Sequence, residues 1–401
     1  MHFPSIIQDL AVILGAAALA SILFQKIKQP VVLGYLLAGL VIGPHTPPFS
    51  LVVDEPGIRV WSELGVIFLM FSLGLEFSFK KLLSVGKTAA FTGPFEAIFM
   101  LALGFASGKL IGLSSTDSIF LGAILSISST TIIIKALEEL KIKKERSSQL
   151  IFGILVVEDL AGILILVALS TFASSGGESV SVPGLLLEAA KLIGIVASWI
   201  AIGSWLLPRL AASVSKRFGN EALVLFALSL CLFLVSLSAY FHYSVALGAF
   251  VMGAILGESS VVHEIEKLLE PIRDVFGAIF FVSIGMLLNP ADLQTYWKMI
   301  LLVTVLTIGG KFISTFIGAK ITGQTREDSL KAGLSLAQIG EFSFIIAGLG
   351  VDLGVMSRYL YPVAVATSVI TTFTTPYMIR FAQQITTSRD TDSEQRKRSI
   401  A

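Results

Sequence analysis

Apolar runs long enough to cross a lipid bilayer follow one another along almost the whole chain, and this feature restricts the fold most. A run of about 17–25 apolar residues can span the hydrocarbon core as a helix. The hydrocarbon core holds no water to bond the backbone N–H and C=O groups, and a helix pairs these groups with one another within the run. Of the 401 residues, 54% are hydrophobic and 14% are charged, whereas soluble domains carry about 25% charged residues. The sequence therefore predicts an all-α polytopic membrane protein.

We expect about 13 transmembrane helices, of which the second and ninth are short for a full crossing. The predicted spans lie near residues 4–24, 30–44, 58–77, 88–111, 117–137, 147–171, 184–208, 220–240, 243–257, 272–288, 297–319, 328–350 and 358–382. Lys and Arg concentrate in alternate loops and in a predicted cytoplasmic tail, residues 386–401. The positive-inside rule then places the N-terminus outside and the C-terminus in the cytoplasm, in the inner (plasma) membrane.

Three groups of small and polar residues recur in order along the chain. The offset is 214 positions for the first group and 211 for the other two. The pairs are Gly34, Gly39 and Gly43 with Gly248, Gly253 and Gly257; Ser72 and Gly74 with Ser283 and Gly285; and Asp117, Ser118 and Gly122 with Asp328, Ser329 and Gly333. Each pair lies seven predicted helices apart, an odd number, so the two halves are predicted to be inverted repeats. Such repeats are typical of secondary transporters.

Two adjacent acids, Glu158 and Asp159, lie in the middle of the apolar run 147–171. A charged side chain inside the membrane is costly, so an acid there indicates a functional site. Lys311 lies in another apolar run and needs a counter-charge, for which Glu158 is the candidate. Neighbouring residues of a helix point about 100° apart, so Asp159 can face a cavity while Glu158 pairs with Lys311. A purely structural Glu158–Lys311 pair stays open, and for Glu96 we expect packing or hydrogen bonding.

The fifth and twelfth predicted helices both contain residues that weaken a helix. Residues 126–131 carry five hydroxyls in six positions, and such side chains compete for backbone hydrogen bonds. The repeat mate is Ala337–Glu341, where Gly340 weakens the helix and Glu341 adds a third buried carboxylate. We predict that both helices unwind and cross at mid-membrane, where carbonyls and half-helix ends bind ions. Packing of the hydroxyl run, and Glu341 binding the backbone of its own break, stay open.

Taken together, these stretches resemble one known family along nearly the whole chain. The matching segments are Gln29 to Tyr35 with Gly43-Pro44, Phe71 to Glu76, Ser128 to Thr130, Glu158 to Leu160, and Ala337 to Phe342. The sequence resembles the second monovalent cation:proton antiporter family, which includes NapA-type sodium/proton antiporters and Kef-type potassium efflux transporters. The resemblance implies an NhaA/NapA-like fold with two crossed broken helices and a homodimer.

The resemblance also implies a division of labour between helices. Predicted helices 4–6 and 11–13 correspond to a mobile core, helices 1–3 and 8–10 to a dimerisation scaffold, and helix 7 to a linker. Asp159 falls where the family has its ion-binding aspartate, and Lys311 matches the family's core lysine. Glu158 departs from the family pattern of Asp or Gln, and an acid favours the NapA-like interpretation. Kef-type proteins continue into a cytoplasmic nucleotide-binding domain, which this sequence either lacks or would carry in a longer chain.

The sequence thus predicts exchange of a monovalent cation, Na⁺ or K⁺, for protons by alternating access, and the resemblance implies that the movement is of the elevator type. The predicted ion- and proton-binding residues are Asp159, Glu158, Ser128, Ser129 and Thr130, with Lys311, Gln338 and Glu341 in support. Asp159 is the expected ligand of the transported Na⁺ or K⁺, since hard cations prefer oxygen.

Other classes of protein are less well supported by the sequence. We expect no cofactor, no nucleic-acid partner at a net charge of +1, and no enzyme activity, because nothing resembles a nucleophile with its base. The alternatives are a Kef-type potassium efflux system with its cytoplasmic regulatory domain or subunit absent, an ion channel, or a membrane-embedded sensor.

Overall fold

The computed structural model describes residues 5–27, 29–48, 50–52, 54–77, 86–142, 144–174, 182–241 and 243–400, and every regular element in these ranges is a helix. In chain order the helices are α1 Ser5–Lys26, α2 Val31–Ile42, α3 Glu55–Glu76, α4 Lys87–Leu110, α5 Ser115–Leu125, α6 Thr130–Glu139, α7 Arg146–Ser174, α8 Val182–Tyr240, α9 Val245–Gly257, α10 Val262–Met286, α11 Pro290–Thr295, α12 Trp297–Ile321, α13 Arg326–Ser335, α14 Glu341–Asp352 and α15 Leu360–Ile400.

Most predicted spans correspond to a helix of the described residues. Six of these helices are long and apolar enough to cross a membrane, and α2, α5 and α9 are shorter apolar helices. The fifth and twelfth predicted spans are each divided, into α5 and α6 and into α13 and α14. The predicted tail, residues 386–401, continues helix α15 as far as Ile400.

The seventh and eighth predicted spans both lie in α8, in which two helices follow each other across a kink without an intervening loop. The continuity is interrupted at Gly219, whose backbone is non-helical with φ of 78°. Residues that carry a Cβ atom rarely adopt a positive φ. Glycine adopts it readily, so the chain can change direction at Gly219 without a loop. The sequence signalled the polar segment around Lys216 and Arg217 but not this local geometry.

The helices belong to two compact units, each built from two separate parts of the chain. The scaffold unit, as we name it, comprises Met1–Leu82 and Ile163–Asp292, and the site unit comprises Leu83–Gly162 and Leu293–Ala401. All the predicted site residues fall in the site unit.

In the scaffold unit, glycines bring helix backbones into close contact. A Cβ atom on Gly39 of α2 would lie 2.0 Å from the Val282 carbonyl oxygen of α10. A Cβ atom on Gly253 of α9 would lie 2.2 Å from the Phe71 carbonyl oxygen of α3. Small residues allow this approach between membrane helices, where van der Waals packing stabilises association.

In the site unit, the interruptions between α5 and α6 and between α13 and α14 contact each other. The backbone N–H of Gly340 donates to the Ile127 carbonyl oxygen over 3.0 Å. The Gln338 side-chain amide donates to the Ser129 carbonyl oxygen over 3.2 Å. Both helices are therefore interrupted as predicted and contact each other at their breaks, and the crossing at mid-membrane stays a prediction.

Local hydrogen bonds explain why the first break occurs where it does. Ser126 donates its hydroxyl back to the Gly122 carbonyl oxygen over 2.7 Å, at the end of α5. The Ser129 hydroxyl accepts the backbone N–H of Ile132 over 3.3 Å and so caps the start of α6. Hydroxyls that bond to their own backbone in this way offer an alternative to the helix ladder.

The contact between the breaks depends on the absence of a side chain at Gly340. A Cβ atom there would lie 2.6 Å from both the backbone nitrogen and the Cα of Ser129. We therefore expect Gly340→Ala to lower the melting temperature of the purified protein, since overpacking typically costs about 1–3 kcal/mol.

The matched control is Gly348→Ala in the same helix α14, because a Cβ atom on Gly348 meets nothing within 4 Å. This control should keep or slightly raise the melting temperature, since alanine favours a helix over glycine by roughly 0.5–1 kcal/mol. Equal effects of the two substitutions would contradict the close contact between the breaks.

Candidate ion-binding site

Asp159 lies on α7 beside the first residue of α6. The Thr130 hydroxyl lies 3.1 and 3.0 Å from the two Asp159 carboxylate oxygens and donates a hydrogen bond to them. Both residues are half-buried. A carboxylate next to the start of a helix is favoured by the partial positive charge of that helix end. The pair joins a charged oxygen group to a neutral one, the donor types that alkali cations prefer.

Lys311 is a fully buried ammonium surrounded by oxygen atoms of the site unit. Its Nζ lies 2.5 Å from Glu96 Oε1 and 2.8 Å from the Ser128 hydroxyl, to which it donates. It also donates to the Ser126 carbonyl oxygen over 3.2 Å, and Glu158 Oε2 lies 3.5 Å away. Removing one partner of a buried ion pair typically destabilises a protein by about 3–5 kcal/mol.

Glu158 faces Lys311 while Asp159 faces Thr130, as their angular separation on a helix requires. The backbone N–H of Ser128 donates to Glu158 Oε2 over 2.9 Å. Glu158 is thus fixed both by the first break and by the lysine. The predicted Glu158–Lys311 contact is present, but Glu96 is the nearer carboxylate.

Glu96 is the residue whose importance the sequence interpretation missed. It is fully buried on α4 and forms an ion pair with Lys311, a contact stronger than the packing or hydrogen bonding expected of it. The available signal was an acid inside an apolar run, together with an intramembrane lysine. Sequence could not show which of several acids lies closest to that lysine.

The remaining predicted residues lie at the crossing of the breaks with different contacts. The Ser129 hydroxyl caps α6, and its carbonyl oxygen accepts the amide of Gln338. The Ser128 hydroxyl accepts from Lys311 and donates to the Leu336 carbonyl oxygen over 3.2 Å. Glu341 is the half-buried first residue of α14, preceded by the N-cap Gly340. The Ser128 and Ser129 hydroxyls thus bond to Lys311 and to the backbone, whereas the Thr130 hydroxyl bonds to Asp159.

The two breaks carry different groups at corresponding places. At the first break the Ser128 N–H donates to the carboxylate of Glu158. At the second, 211 positions later, the Ile339 N–H donates to the Thr371 hydroxyl over 3.5 Å. The acceptor of this backbone N–H is therefore a carboxylate at the first break and a neutral hydroxyl at the second.

The chemistry of these groups suits a singly charged, weakly held cation. Among the described residues there is no group of three or more His, Cys, Asp or Glu side chains that could hold a metal ion. One carboxylate with neutral oxygens matches the oxygen ligands of hard cations. The same carboxylate can instead take a proton.

Comparison with known proteins agrees with this geometry. The chain is 34% identical over 396 residues to YbaL of Escherichia coli, described as a cation/proton antiporter, covering 96% of this chain and 70% of YbaL. It is 33% identical over 385 residues to K(+) efflux antiporter 5 of Arabidopsis thaliana, covering 94% of this chain and 66% of that protein. About a third of each relative thus lies outside the match.

The fold is also found in a solved structure. The sodium proton antiporter MjNhaP1 from Methanocaldococcus jannaschii superposes with a TM-score of 0.70 at 19% identity, covering 93% of this chain and 94% of that one. In sequence, residues 13–382 match the family described as sodium/hydrogen exchanger, transmembrane. That match takes in the helix breaks, Asp159, Lys311 and both carboxyl partners of the lysine, and so the chain belongs to the transmembrane sodium/hydrogen exchanger family.

Proposed function

We propose that this protein exchanges a monovalent cation, Na⁺ or K⁺, for protons across the membrane. The observation that carries the proposal is the Asp159–Thr130 pair beside two contacting helix breaks. Broken helices of this kind supply ion sites in secondary transporters. The antiporter names of the relatives support the same activity.

In this mechanism Asp159 binds either a cation or a proton. When ionised, Asp159 attracts the cation, and the Thr130 hydroxyl turns a lone pair toward it. Backbone oxygens of the first break, at Ser128 and Ser129, complete the oxygen shell. When Asp159 is protonated its charge is lost and the cation leaves. Because the two ligands exclude each other at one carboxylate, their movements are coupled in opposite directions.

The buried charges beside Asp159 set the electrostatics of this exchange. Lys311 and Glu158 form an ion pair that holds α7 and α12 against the first break. We propose that the pair loosens as ions exchange, with Gln338 and Glu341 maintaining the second break. A cation at Asp159 and the Lys311 ammonium repel each other, which keeps cation binding reversible.

We propose that the site unit carries the ion across the membrane in an elevator-like movement while the scaffold unit mediates a homodimer.

We also propose that the two halves of the chain are inverted repeats, which matching contacts 211 positions apart support. Ser114 accepts the Asp117 N–H at the start of α5, and Thr325 accepts the Asp328 N–H at the start of α13. The glycine that follows in each helix packs on a backbone carbonyl, of Leu101 or Phe312.

Both cations are kept in the proposal, because the similar proteins include a K⁺ efflux antiporter of Arabidopsis thaliana and the sodium proton antiporter MjNhaP1. A regulatory domain or subunit on the cytoplasmic side would fit the length of the relatives beyond the match. We place the protein in the plasma membrane with its C-terminus in the cytoplasm. A channel would pass ions without proton counterflow, and a sensor would bind ions without net flux.

The proposed exchange is tested in proteoliposomes that hold a preformed pH gradient. Addition of Na⁺, K⁺ or Li⁺ should dissipate the gradient for the transported cation, and Asp159→Asn should abolish the effect because the carboxylate that alternates between ligands is gone. A pH-sensitive dye inside the vesicles reports the flux. Asp117→Asn, which removes a buried carboxylate bonded to Ser357, should retain exchange. Full exchange by Asp159→Asn would refute the mechanism.

Thr130→Val removes the hydroxyl beside Asp159 while keeping the shape of the side chain. Valine removes one oxygen ligand of the bound cation, so the KM for the cation should rise about tenfold, equivalent to ~1.4 kcal/mol of binding free energy. The initial rate of gradient loss as a function of cation concentration gives this value. Thr130→Ser keeps the hydroxyl and should stay close to wild type. The role of Thr130 would be wrong if serine and valine behaved alike.

A further inference from the structure

Lys311 has two carboxylate neighbours that differ in distance and in setting. Glu96 Oε1 lies 2.5 Å from its Nζ, whereas Glu158 Oε2 lies 3.5 Å away. Glu158 Oε2 already accepts the Ser128 N–H over 2.9 Å. The direct charge-assisted hydrogen bond of Lys311 is therefore to Glu96, and its attraction to Glu158 acts over a longer distance.

The Glu96–Lys311 pair lies inside a tight contact between α4 and α12. A Cβ atom on Gly310, next to Lys311, would lie 2.4 Å from the Leu103 side chain of α4. Further along α12, a Cβ atom on Gly318 would lie 2.9 Å from Thr92, one turn before Glu96. The two helices are thus in contact on both sides of the ion pair. This packing keeps the Glu96 and Lys311 side chains within reach of each other.

Glu158 occupies a different position, because it lies on α7 directly before the proposed ion ligand Asp159. If Glu158 were the sole partner of Lys311, any loosening of that pair would leave an unpaired ammonium in the interior. An uncompensated buried charge is strongly destabilising. Glu96 removes this difficulty, since Lys311 keeps the Glu96 side chain of α4 as a hydrogen-bond partner whichever way Glu158 moves.

We propose that Glu96 is a positioning residue that anchors Lys311, so that Glu158 and not Lys311 changes its contacts during exchange. The transport part of this inference rests on the proposed function; the anchoring part does not. Glu96 acts through Lys311 by holding the ammonium on the α4 side. Without Glu96, Lys311 turns toward Glu158 and comes nearer to Asp159, where its charge opposes a bound cation.

The anchoring is tested by thermal stability of the purified protein, which needs no transport. Glu96→Gln and Glu158→Gln are each combined with Lys311→Met in a double-mutant cycle, which isolates the pairwise coupling. We expect Glu96→Gln to lower the melting temperature more than Glu158→Gln, and Glu96 to couple more strongly to Lys311. Equal coupling of the two acids, or stronger coupling of Glu158, would overturn the anchor.

The positioning role is tested by cation-dependent exchange in proteoliposomes. Glu96→Gln should raise the KM for the cation about tenfold, equivalent to ~1.4 kcal/mol, with a smaller change in maximal rate. Glu96→Asp, which keeps the charge, should recover much of the affinity even if Glu96→Gln folds poorly. The matched control is Asp117→Asn, which also removes a buried carboxylate of the site unit. The Asp117 carboxylate bonds to Ser357 and not to Lys311, so this substitution should leave the KM unchanged.

The outcomes separate the two proposals. An unchanged KM in Glu96→Gln, or a KM raised equally in Asp117→Asn and Glu96→Gln, overturns the positioning role while antiport itself stands. A wild-type protein that exchanges no cation contradicts the proposed function and with it the positioning role, whereas the double-mutant cycle still decides whether Glu96 anchors Lys311.

Discussion

The architecture of the site depends on one electrostatic constraint, the burial of the Lys311 ammonium away from water. A charge in a low-dielectric interior is tolerated only when it is paired and hydrogen-bonded. Helices α4 and α7 each supply a carboxylate within reach, and the first break supplies a carbonyl and a hydroxyl. Meeting the needs of a single lysine therefore fixes three helices and one break relative to one another.

The same constraint explains how a half-buried acid can be available for ions. Because Glu96 and Glu158 face Lys311, Asp159 is left to face Thr130 on the other side of α7. The two breaks provide backbone groups that an intact helix would have used internally. Glycine at position 340 lets these breaks touch. Packing, backbone polarity and charge thus leave Asp159 half-buried beside the first break, as the proposed exchange of a cation for a proton requires.

Much of this arrangement could be predicted from the sequence, because its signals are local. Apolar length predicts the helices, the hydroxyl run and Gly340 predict the breaks, and Glu158-Asp159 marks the site. The two broken regions that the sequence pairs at an offset of 211 contact each other, with Ser129 against Gly340 in the structure. These features need no knowledge of distant contacts.

What the sequence did not predict depends on distances between separate helices. Glu96 and Lys311 are 215 positions apart, and their contact is set by the packing of α4 on α12. The Ser129 hydroxyl accepts the backbone N–H of Ile132, a capping contact that the sequence interpretation did not include, and ion binding at Ser129 stays a prediction. Nor did sequence show that the helices on either side of Gly219 follow each other without a loop, because this depends on the backbone conformation of that one glycine.

The central claim is that a cation and a proton compete for Asp159. The most direct test is to add the transported cation to purified protein in weakly buffered solution and to record binding and proton release together. Binding should release protons into the solution, and Asp159→Asn should abolish the release. Cation binding to wild type without proton release, or the same release from Asp159→Asn, would contradict the claim.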